Sequence, residues 1–277
     1  MAVAVAVAVA CGGGAGTGEG GLGGTMILAT TTSTYDSGLL DELVPIFEAE
    51  TGVTVKVIAV GTGAALRMGS DGNADALLVH APEAEAEFVA SGHLVSGRLI
   101  MTNDFVLVGP ADDPAGASIA ADLPAALAAI AARGRFVSRG DDSGTHKKEL
   151  ALWASAGIDS AAVAREETGQ GMGATLNVAD QRNAYTLTDR ATYLALRDVL
   201  DLVVVVEGDA ALLNVYHAYV VSPERHRGVK SAQAGAFVAF LTEARTQALI
   251  GQFRAEEFGR PLFTPAATKM TSSGGGG

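Results

Sequence analysis

Cysteine is nearly absent from this chain, because Cys11 is the only one among 277 residues. A single thiol cannot form a disulfide within the chain, and it excludes a cysteine-rich metal site. No apolar run reaches the roughly 20 residues that a transmembrane helix requires. Basic residues are also scarce: 19 Lys and Arg stand against 31 Asp and Glu, which gives a formal net charge of −12. This charge argues against nucleic acid or an anionic membrane surface as the main partner.

The sequence does contain enough apolar material for a folded body. Hydrophobic residues make up 48% of the chain and charged residues 18%. Intrinsically disordered chains, in contrast, are poor in apolar residues and often rich in charge. The length suits one large domain or two small lobes. We therefore expect a folded, acidic protein.

The two ends of the chain differ in composition from this body. Residues 1–10 are Ala and Val after the first Met, and small residues precede Cys11. Such a run is typical of a secretory signal, and the cysteine resembles a lipoprotein processing site at which it would become the acylated N-terminus. The alternative is a terminal β-strand of Ala and Val. Glycine dominates the next segment, so we interpret 1–25 as signal and tether and 266–277 as a flexible tail.

Between these ends, strand-like apolar runs alternate with helix-like periodic segments. The alternation predicts βαβ crossovers and an α/β fold with mostly parallel sheets. We predict one lobe from 26–109 plus 215–265 and a second from 110–214, with two chain crossings that form a hinge and leave a ligand cleft. The predicted strands are 26–29, 53–60, 76–79, 105–108, 135–138, 184–187, 202–206 and 218–221, and the predicted helices are 37–50, 64–68, 82–90, 120–132, 144–155, 170–181, 190–199 and 231–253.

Three segments place small hydroxyl residues and glycines between a predicted strand and a predicted helix. They are 30–34, which reads TTTST, 61–63, which reads GTG, and 138–145, which reads SRGDDSGT. A helix N-terminus has N–H groups without partners, Ser and Thr add hydroxyl donors, and glycine lets the backbone approach a ligand. Each segment alone is consistent with an ordinary N-cap. Because ligands of open α/β sheets bind at this end of the strands, the three together indicate a site for a small oxyanion.

Arg139 is the one cation within these segments. Its planar guanidinium can hold two oxygens of an anion at once, which a lysine cannot. The alternative is a surface salt bridge to Asp141 or Asp142. A dianion in a dry cleft needs donors in place of its hydration, and each hydrogen bond to a charged group contributes roughly 1.5–3 kcal/mol. A helix dipole contributes only about 0.3–2 kcal/mol, so many convergent donors must provide the affinity.

Long segments of the chain resemble the tungstate-binding proteins of ABC importers of the TupA type. They include TTTSTYDSGLLDELVPIFE at 30–48, FVSRGDDSGTHKKELALW at 136–153 and ETGQGMGATLNVAD at 167–180. The resemblance implies a two-lobed type II periplasmic-binding-protein fold that closes on tungstate or molybdate outside the cytoplasm. It further implies delivery of the anion to the membrane subunits of an ABC permease, and we expect the protein to be a monomer.

The resemblance also implies which residues hold the anion. By position they are Thr31, Thr32, Ser33, Gly61, Thr62, Arg139, Ser143 and Thr145, with Gly173 and Ala174 from a fourth helix N-terminus. We expect no catalytic residue and no cofactor. We also expect no bound metal cation, because the five histidines lack the spacing of zinc ligands.

Two alternative functions fit parts of the same pattern. The first is a phosphate- or other oxyanion-binding protein of the same fold, because Arg139, Asp141 and the Ser-Gly-Thr at 143–145 are similar to the phosphate-binding proteins. Phosphate carries a proton near neutral pH that an aspartate can accept, and tungstate carries none. Tungstate binding therefore predicts that Asp141 faces Arg139 or a backbone amide. The second is a serine hydrolase with Ser143, His146 and a nearby aspartate, but the sequence has no Gly-x-Ser-x-Gly elbow.

Overall fold

The structure is a computed structural model, and it describes residues 22–267. Cys11, most of the expected signal and tether, and 268–277 of the expected tail lie outside the described residues. Within 22–267, no helix combines the length and the apolar character that crossing a membrane requires.

Strands and helices alternate along most of the described body. The strands are β1 (Thr25–Thr31), β2 (Thr54–Val60), β3 (Ala76–Val79), β4 (Leu94–Pro110), β5 (Phe136–Ser138), β6 (Arg165–Glu167), β7 (Thr186–Asp189), β8 (Leu202–Val206), β9 (Leu213–Val221) and β10 (Thr264–Pro265). The helices are α1 (Thr32–Asp36), α2 (Leu39–Thr51), α3 (Thr62–Ser70), α4 (Pro82–Ala90), α5 (Leu123–Arg133), α6 (Gly144–Ser155), α7 (Met172–Arg182), α8 (Arg190–Leu196), α9 (Ser231–Thr242), α10 (Ala244–Ile250) and α11 (Ala255–Phe258).

Several elements have the bounds that the sequence predicts. They are β3, α4, α6 and β8. Their ends carry clear local signals: Pro82 occupies the first turn of α4, and Ser143 caps α6 by accepting the N–H of His146. Gly52 ends α2 in the left-handed region at φ +68°, where glycine is least strained.

The strand β4 belongs to two sheets. The first sheet also contains β1, β2, β3, β9 and β10, and the second contains β7 and β8. The sequence predicts only 105–108 as a strand, but Leu94–Pro110 is continuous. Up to Asp104 it pairs antiparallel with β9, and from Phe105 onward it pairs antiparallel with β7 and β8. The chain therefore passes from one sheet to the other at this point within a single strand. The first half was missed because four consecutive exposed residues, 96–99, and two register shifts interrupt the alternation.

Parallel pairing is confined to the βαβ units. β1 pairs parallel with β2 and β3, and β5 pairs parallel with β6. Every pair that includes β4 or β9 is antiparallel. The predicted α/β fold of two lobes joined by two crossings is confirmed, and the crossing strands β4 and β9 account for the antiparallel pairs.

The single helix predicted for 231–253 is wrong. The chain forms α9 and α10 instead, and Glu243 between them has extended backbone, with φ −64° and ψ 142°. The carbonyl of Leu241, in the last turn of α9, accepts a hydrogen bond of 2.7 Å from Nε2 of Gln247. This side-chain bond makes the interruption inexpensive, and hydrophobic periodicity does not show it.

Each sheet packs against its own aromatic core. In the first core the rings of Phe47 and Phe237 lie 5.1 Å apart in an edge-to-face arrangement. In the second, the rings of Trp153 and Phe136 also lie 5.1 Å apart and nearly perpendicular. These four side chains are buried, so the strand ends that carry the polar segments extend from two rigid bodies.

Candidate anion-binding site

The carboxyl ends of three parallel strands bring polar residues to one edge of the first sheet. β1 ends at Thr31, Thr62 comes two residues after β2, and His80 follows β3 directly. From the second lobe, Arg139 follows β5 and Ser143 precedes α6. The candidate site lies where these segments meet, as expected for a ligand of an open α/β sheet.

A cavity of about 170 Å³ opens among these segments. Thr32 and Ser33 of α1, Arg139, and Gly173 in the first turn of α7 all line its wall. Asp36 also lines it. Partial burial raises the pKa of the Asp36 carboxyl, although Arg139 opposes this shift. Four predicted residues from three segments thus surround one space of suitable size for a small anion.

Two buried hydroxyls lie in the first turns of α3 and α6. Oγ1 of Thr62 and Oγ1 of Thr145 have no hydrogen-bond partner within 22–267, and neither has Nε of Arg139. The first turns of α3 and α6 meet here, because a methyl group added to Gly144 would lie 3.1 Å from Oγ1 of Thr62. Buried polar atoms in folded proteins are nearly always hydrogen-bonded. Donors in this state are therefore available to a ligand.

The hydroxyl of Thr31 is already engaged. Oγ1 accepts the backbone N–H of Thr34 at 3.3 Å and so caps α1, and it lies 2.7 Å from the hydroxyl of Thr34. It also lies 3.0 Å from Nε2 of His80. Thr31 is buried and does not line the cavity. Its contacts stabilise the first turn of α1, which presents Thr32 and Ser33.

Asp141 is turned towards its own loop. Nη2 of Arg139 donates to Oδ2 of Asp141 at 2.5 Å, and Oδ1 accepts the N–H of Ser143 at 3.1 Å. The prediction that Asp141 faces Arg139 or a backbone amide is confirmed. The alternative salt bridge of Arg139 therefore exists, but it is not a surface pair, because Arg139 is only 4% exposed. Asp142 pairs with Lys147 instead.

The hydrolase geometry is not present around Ser143. Its hydroxyl accepts the backbone N–H of His146 at 3.3 Å, as an N-cap does. Nδ1 of the His146 ring accepts the N–H of Asp142 at 3.1 Å. Within the described residues no hydrogen bond joins the ring to the Ser143 hydroxyl, so nothing there activates a serine nucleophile.

Six of the ten predicted residues do not line the cavity: Thr31, Gly61, Thr62, Ser143, Thr145 and Ala174. Gly61 is the N-cap of α3, and Ala174 is half-buried in α7. A second cavity, of about 330 Å³, lies beside His80 and Gly144, and most of its wall is apolar. The apolar wall makes it less suited to an anion. Among residues 22–267, no group of three or more His, Cys, Asp and Glu could hold a metal ion.

Sequence reasoning missed His80 and Asn214. Nδ1 of His80 lies 3.0 Å from Oδ1 of Asn214, and both side chains are buried. Burial lowers the pKa of His80, so the ring is neutral at pH 7. The available signal was position: His80 follows a predicted buried strand directly, as the three hydroxyl segments do.

A buried carboxyl supports the Arg139 loop from behind. Oε2 of Glu149 accepts the hydroxyl of Ser138 at 2.6 Å, and Oε1 accepts Nε1–H of Trp153 at 3.3 Å. Burial raises the pKa of Glu149 to about 7, against the lowering effect of these hydrogen bonds and of Arg165. The loop that carries Arg139 is thus joined to α6 through a group that titrates near neutral pH.

Comparison with known proteins places this architecture in a family. Residues 13–245 match the family model described as a PBP superfamily domain. The chain is 49% identical over 249 residues to the tungstate-binding protein TupA of Peptoclostridium acidaminophilum, a match that covers 89% of this chain and 87% of the relative. The chain belongs to the TupA family of PBP superfamily proteins.

Two solved structures of proteins named for tungstate binding or transport have the same fold. The tungstate ABC transporter structure from Geobacter sulfurreducens is 44% identical, with a TM-score of 0.75 over 83% of this chain and 98% of that one. The tungstate-binding protein TupA from Desulfovibrio alaskensis G20 is also 44% identical, with a TM-score of 0.76 over 88% of this chain and 99% of that one. These TupA relatives are named for binding and transport, not for catalysis.

Proposed function

We propose that this chain is the extracytoplasmic solute-binding protein of an ABC importer and that it captures tungstate between its lobes. The observation that carries the proposal is the convergence of buried, unpartnered donors from both lobes. Thr62 contributes from the first lobe, and Arg139 and Thr145 contribute from the second. The 170 Å³ cavity that Arg139 lines and the names of the 44–49% identical relatives support it.

The chemistry of the donors favours a fully deprotonated anion. Hydroxyl and guanidinium groups can donate to every oxygen of tungstate, and each such bond contributes roughly 1.5–3 kcal/mol. The nearest carboxylate in the loop, Asp141, is occupied by Arg139 and Ser143. An anion that carries a proton therefore gains no acceptor from Asp141, the carboxylate on which the phosphate alternative rests, although the carboxyl of Asp36 lines the cavity.

Capture requires that the lobes close on the ligand. In the open state the anion meets the donors of one lobe only, and closure adds those of the other, so the ligand stabilises the closed state. We place the lobe boundaries near the predicted 109/110 and 214/215. In β4 the strand partner changes at Asp104–Phe105, and β9 begins at Leu213. These positions support hinge segments that lie a few residues before the predicted boundaries.

The cellular setting follows from the same proposal. A monomer anchored outside the membrane through an acylated Cys11 would release its anion to the membrane subunits of a permease. The glycine-rich segment after Cys11 would act as the tether.

Competition calorimetry tests the proposal. The protein is titrated with tungstate, molybdate, sulfate and phosphate at pH 7. We expect tight binding of tungstate, with molybdate as the only close competitor, because the two anions share size and charge. Phosphate binding as tight as tungstate binding would favour the alternative function, and no heat with any of these oxyanions would reject anion capture.

A further inference from the structure

A series of buried hydrogen bonds runs from the cavity to the crossing strands. Oγ of Ser33, on the cavity wall, lies 3.2 Å from Nε2 of His80. On the other side of the ring, Nδ1 contacts Oδ1 of Asn214 at 3.0 Å. Nδ2 of Asn214 donates to Oδ1 of Asn103 at 2.8 Å and to the hydroxyl of Tyr216 at 3.0 Å. Asn103 and Asn214 are cross-strand partners on β4 and β9, beside the point where β4 changes sheets.

This network determines which nitrogen of His80 carries the proton. The amide nitrogen of Asn214 is used by Asn103 and Tyr216, so its oxygen faces the ring. That oxygen can only accept, and Nδ1 must therefore carry the hydrogen. Because the ring is neutral, Nε2 is left as an acceptor.

Two hydroxyls compete for this one acceptor. Oγ1 of Thr31 lies 3.0 Å from Nε2 of His80, and Oγ of Ser33 lies 3.2 Å from it. The Thr31 oxygen accepts the N–H of Thr34 and lies 2.7 Å from the Thr34 hydroxyl and 3.2 Å from the Ser33 hydroxyl. Its own hydrogen can point at the ring when Thr34 donates in their contact. Ser33 lines the cavity and Thr31 does not. Geometry therefore separates the two roles.

We propose that His80 is a positioning residue of the anion site, which accepts the Thr31 hydroxyl through Nε2 and leaves the Ser33 hydroxyl to donate to the bound oxyanion. Asn214 supports this role by holding the Nδ1–H tautomer. The proposal rests on the proposed function, and it changes the role of Thr31 from a ligand donor to a residue that orients the site. With the hydrogen on Nε2, the ring would instead donate to Thr31 and compete with Thr34 for the oxygen that caps α1.

The position of the ring also matters to the opposite lobe. A methyl group added to Gly144 would lie 2.6 Å from Cε1 of His80. The ring therefore packs directly against the first turn of α6. His80 contacts both halves of the site, so a change in its side chain is expected to affect binding more than a change elsewhere in the core.

The tautomer is measured first, on the wild-type protein with ¹⁵N-labelled histidine. We expect Nδ1 of His80 to have the chemical shift of a protonated ring nitrogen and Nε2 that of an unprotonated acceptor, with signals assigned by their loss in His80→Gln. The reverse pattern would overturn the proposal. This measurement uses the free protein, so its result does not depend on whether tungstate binds.

Tungstate titrations of three variants then test the role in binding. His80→Leu removes the acceptor and Ser33→Ala removes the donor, and each is expected to weaken binding roughly tenfold to hundredfold. His80→Gln places an amide oxygen near Nε2 and is expected to bind at least about five times more tightly than His80→Leu. Thermal melting of each variant without ligand separates loss of folding from loss of affinity.

The outcomes distinguish this proposal from the proposed function. If wild type binds tungstate and either His80→Leu or Ser33→Ala binds equally well, the role of His80 is wrong and tungstate capture stands. If wild type binds phosphate or sulfate in place of tungstate, the tungstate assignment fails. The same three variants titrated with that anion then decide the role of His80. If wild type binds no oxyanion, both proposals fail.

Discussion

Nη2 of Arg139 lies 2.5 Å from Oδ2 of Asp141, and this contact holds a buried guanidinium whose Nε has no partner within 22–267. The second oxygen of Asp141 accepts the N–H of Ser143. Both carboxylate oxygens are thus used inside the loop. The loop presents donors to the cleft and keeps its own negative charge paired.

Replacement of Arg139 by lysine tests how much the planar guanidinium contributes to tungstate affinity. Arg139→Lys retains the charge but cannot donate to Asp141 and to an anion with the same geometry. We expect tungstate affinity to fall roughly tenfold to hundredfold, as for the loss of one or more charged hydrogen bonds. Arg98→Lys, at an exposed position, is the matched control. Wild-type affinity in Arg139→Lys would show that the guanidinium does not contact the ligand.

Replacement of Gly144 by alanine tests whether tungstate binding requires the lobes to close fully. A Cβ at this position would lie 2.6 Å from the His80 ring, which Asn214 holds on its other side. Gly144→Ala should therefore keep the lobes from closing fully, weaken tungstate binding more than about tenfold, and leave the melting temperature without ligand nearly unchanged. Gly235→Ala, a helical position with open space around it, is the control. X-ray scattering should show compaction with tungstate in the control, and equal compaction in Gly144→Ala would contradict the prediction.

The raised pKa of Glu149 predicts that the free energy of unfolding depends on pH. Its pKa is raised to about 7 in the folded protein, above the value of about 4.3 for an exposed glutamate. The folded state therefore favours the protonated form. The stabilisation is fully present below about pH 4.3 and is lost as the pH rises through 7. A shift of this size corresponds to roughly 3–4 kcal/mol.

Denaturant unfolding between about pH 4 and about pH 7, the window that the two pKa values define, is the measurement. Wild type should lose more stability across that range than Glu149→Gln, which cannot ionise. Glu87→Gln, at an exposed position, should follow wild type. Parallel curves for wild type and Glu149→Gln would show that this carboxyl is ionised in both the folded and the unfolded states.

The net charge of −12 makes a prediction about rates. An anion approaching this protein is repelled at long range, and added salt screens the repulsion as the Debye length falls from about 30 Å at 0.01 M to about 10 Å at 0.1 M. Stopped-flow association of tungstate should accelerate severalfold across this range. A rate that falls with salt would mean that the positive potential of Arg139 extends beyond the cleft.

The hydroxyl segments could be found from the sequence because strand, turn and helix N-terminus have local signals. The roles of individual residues within them could not. Whether Thr31 or Ser33 donates to a ligand depends on His80, which is 47 residues from Ser33 in the chain. A histidine after a buried strand is indistinguishable in sequence from an ordinary core histidine. The assignments of all ten residues as ligand contacts stay predictions.

The helices and strands show the same difference between features with a local sequence signal and features that depend on other contacts. The bounds of α4 and α6 follow from Pro82 and Ser143, which act on neighbouring residues. The first half of β4 is a strand because β9 pairs with it, and the break after α9 is supported by Gln247 from the next helix. The first depends on pairing between residues far apart in the chain, and the second on a side-chain contact six residues away that hydrophobic periodicity does not show.

Because both sheets share β4, the time for which an anion stays bound and the selectivity between anions can vary independently. Because β4 continues through the boundary at Asp104–Phe105 without a loop, any bending there must occur in peptide units that remain paired. Substitutions at these two positions can alter how often the molecule opens without touching an oxygen of the anion. Relatives with identical pockets can therefore differ in how long they retain tungstate while discriminating equally well against sulfate.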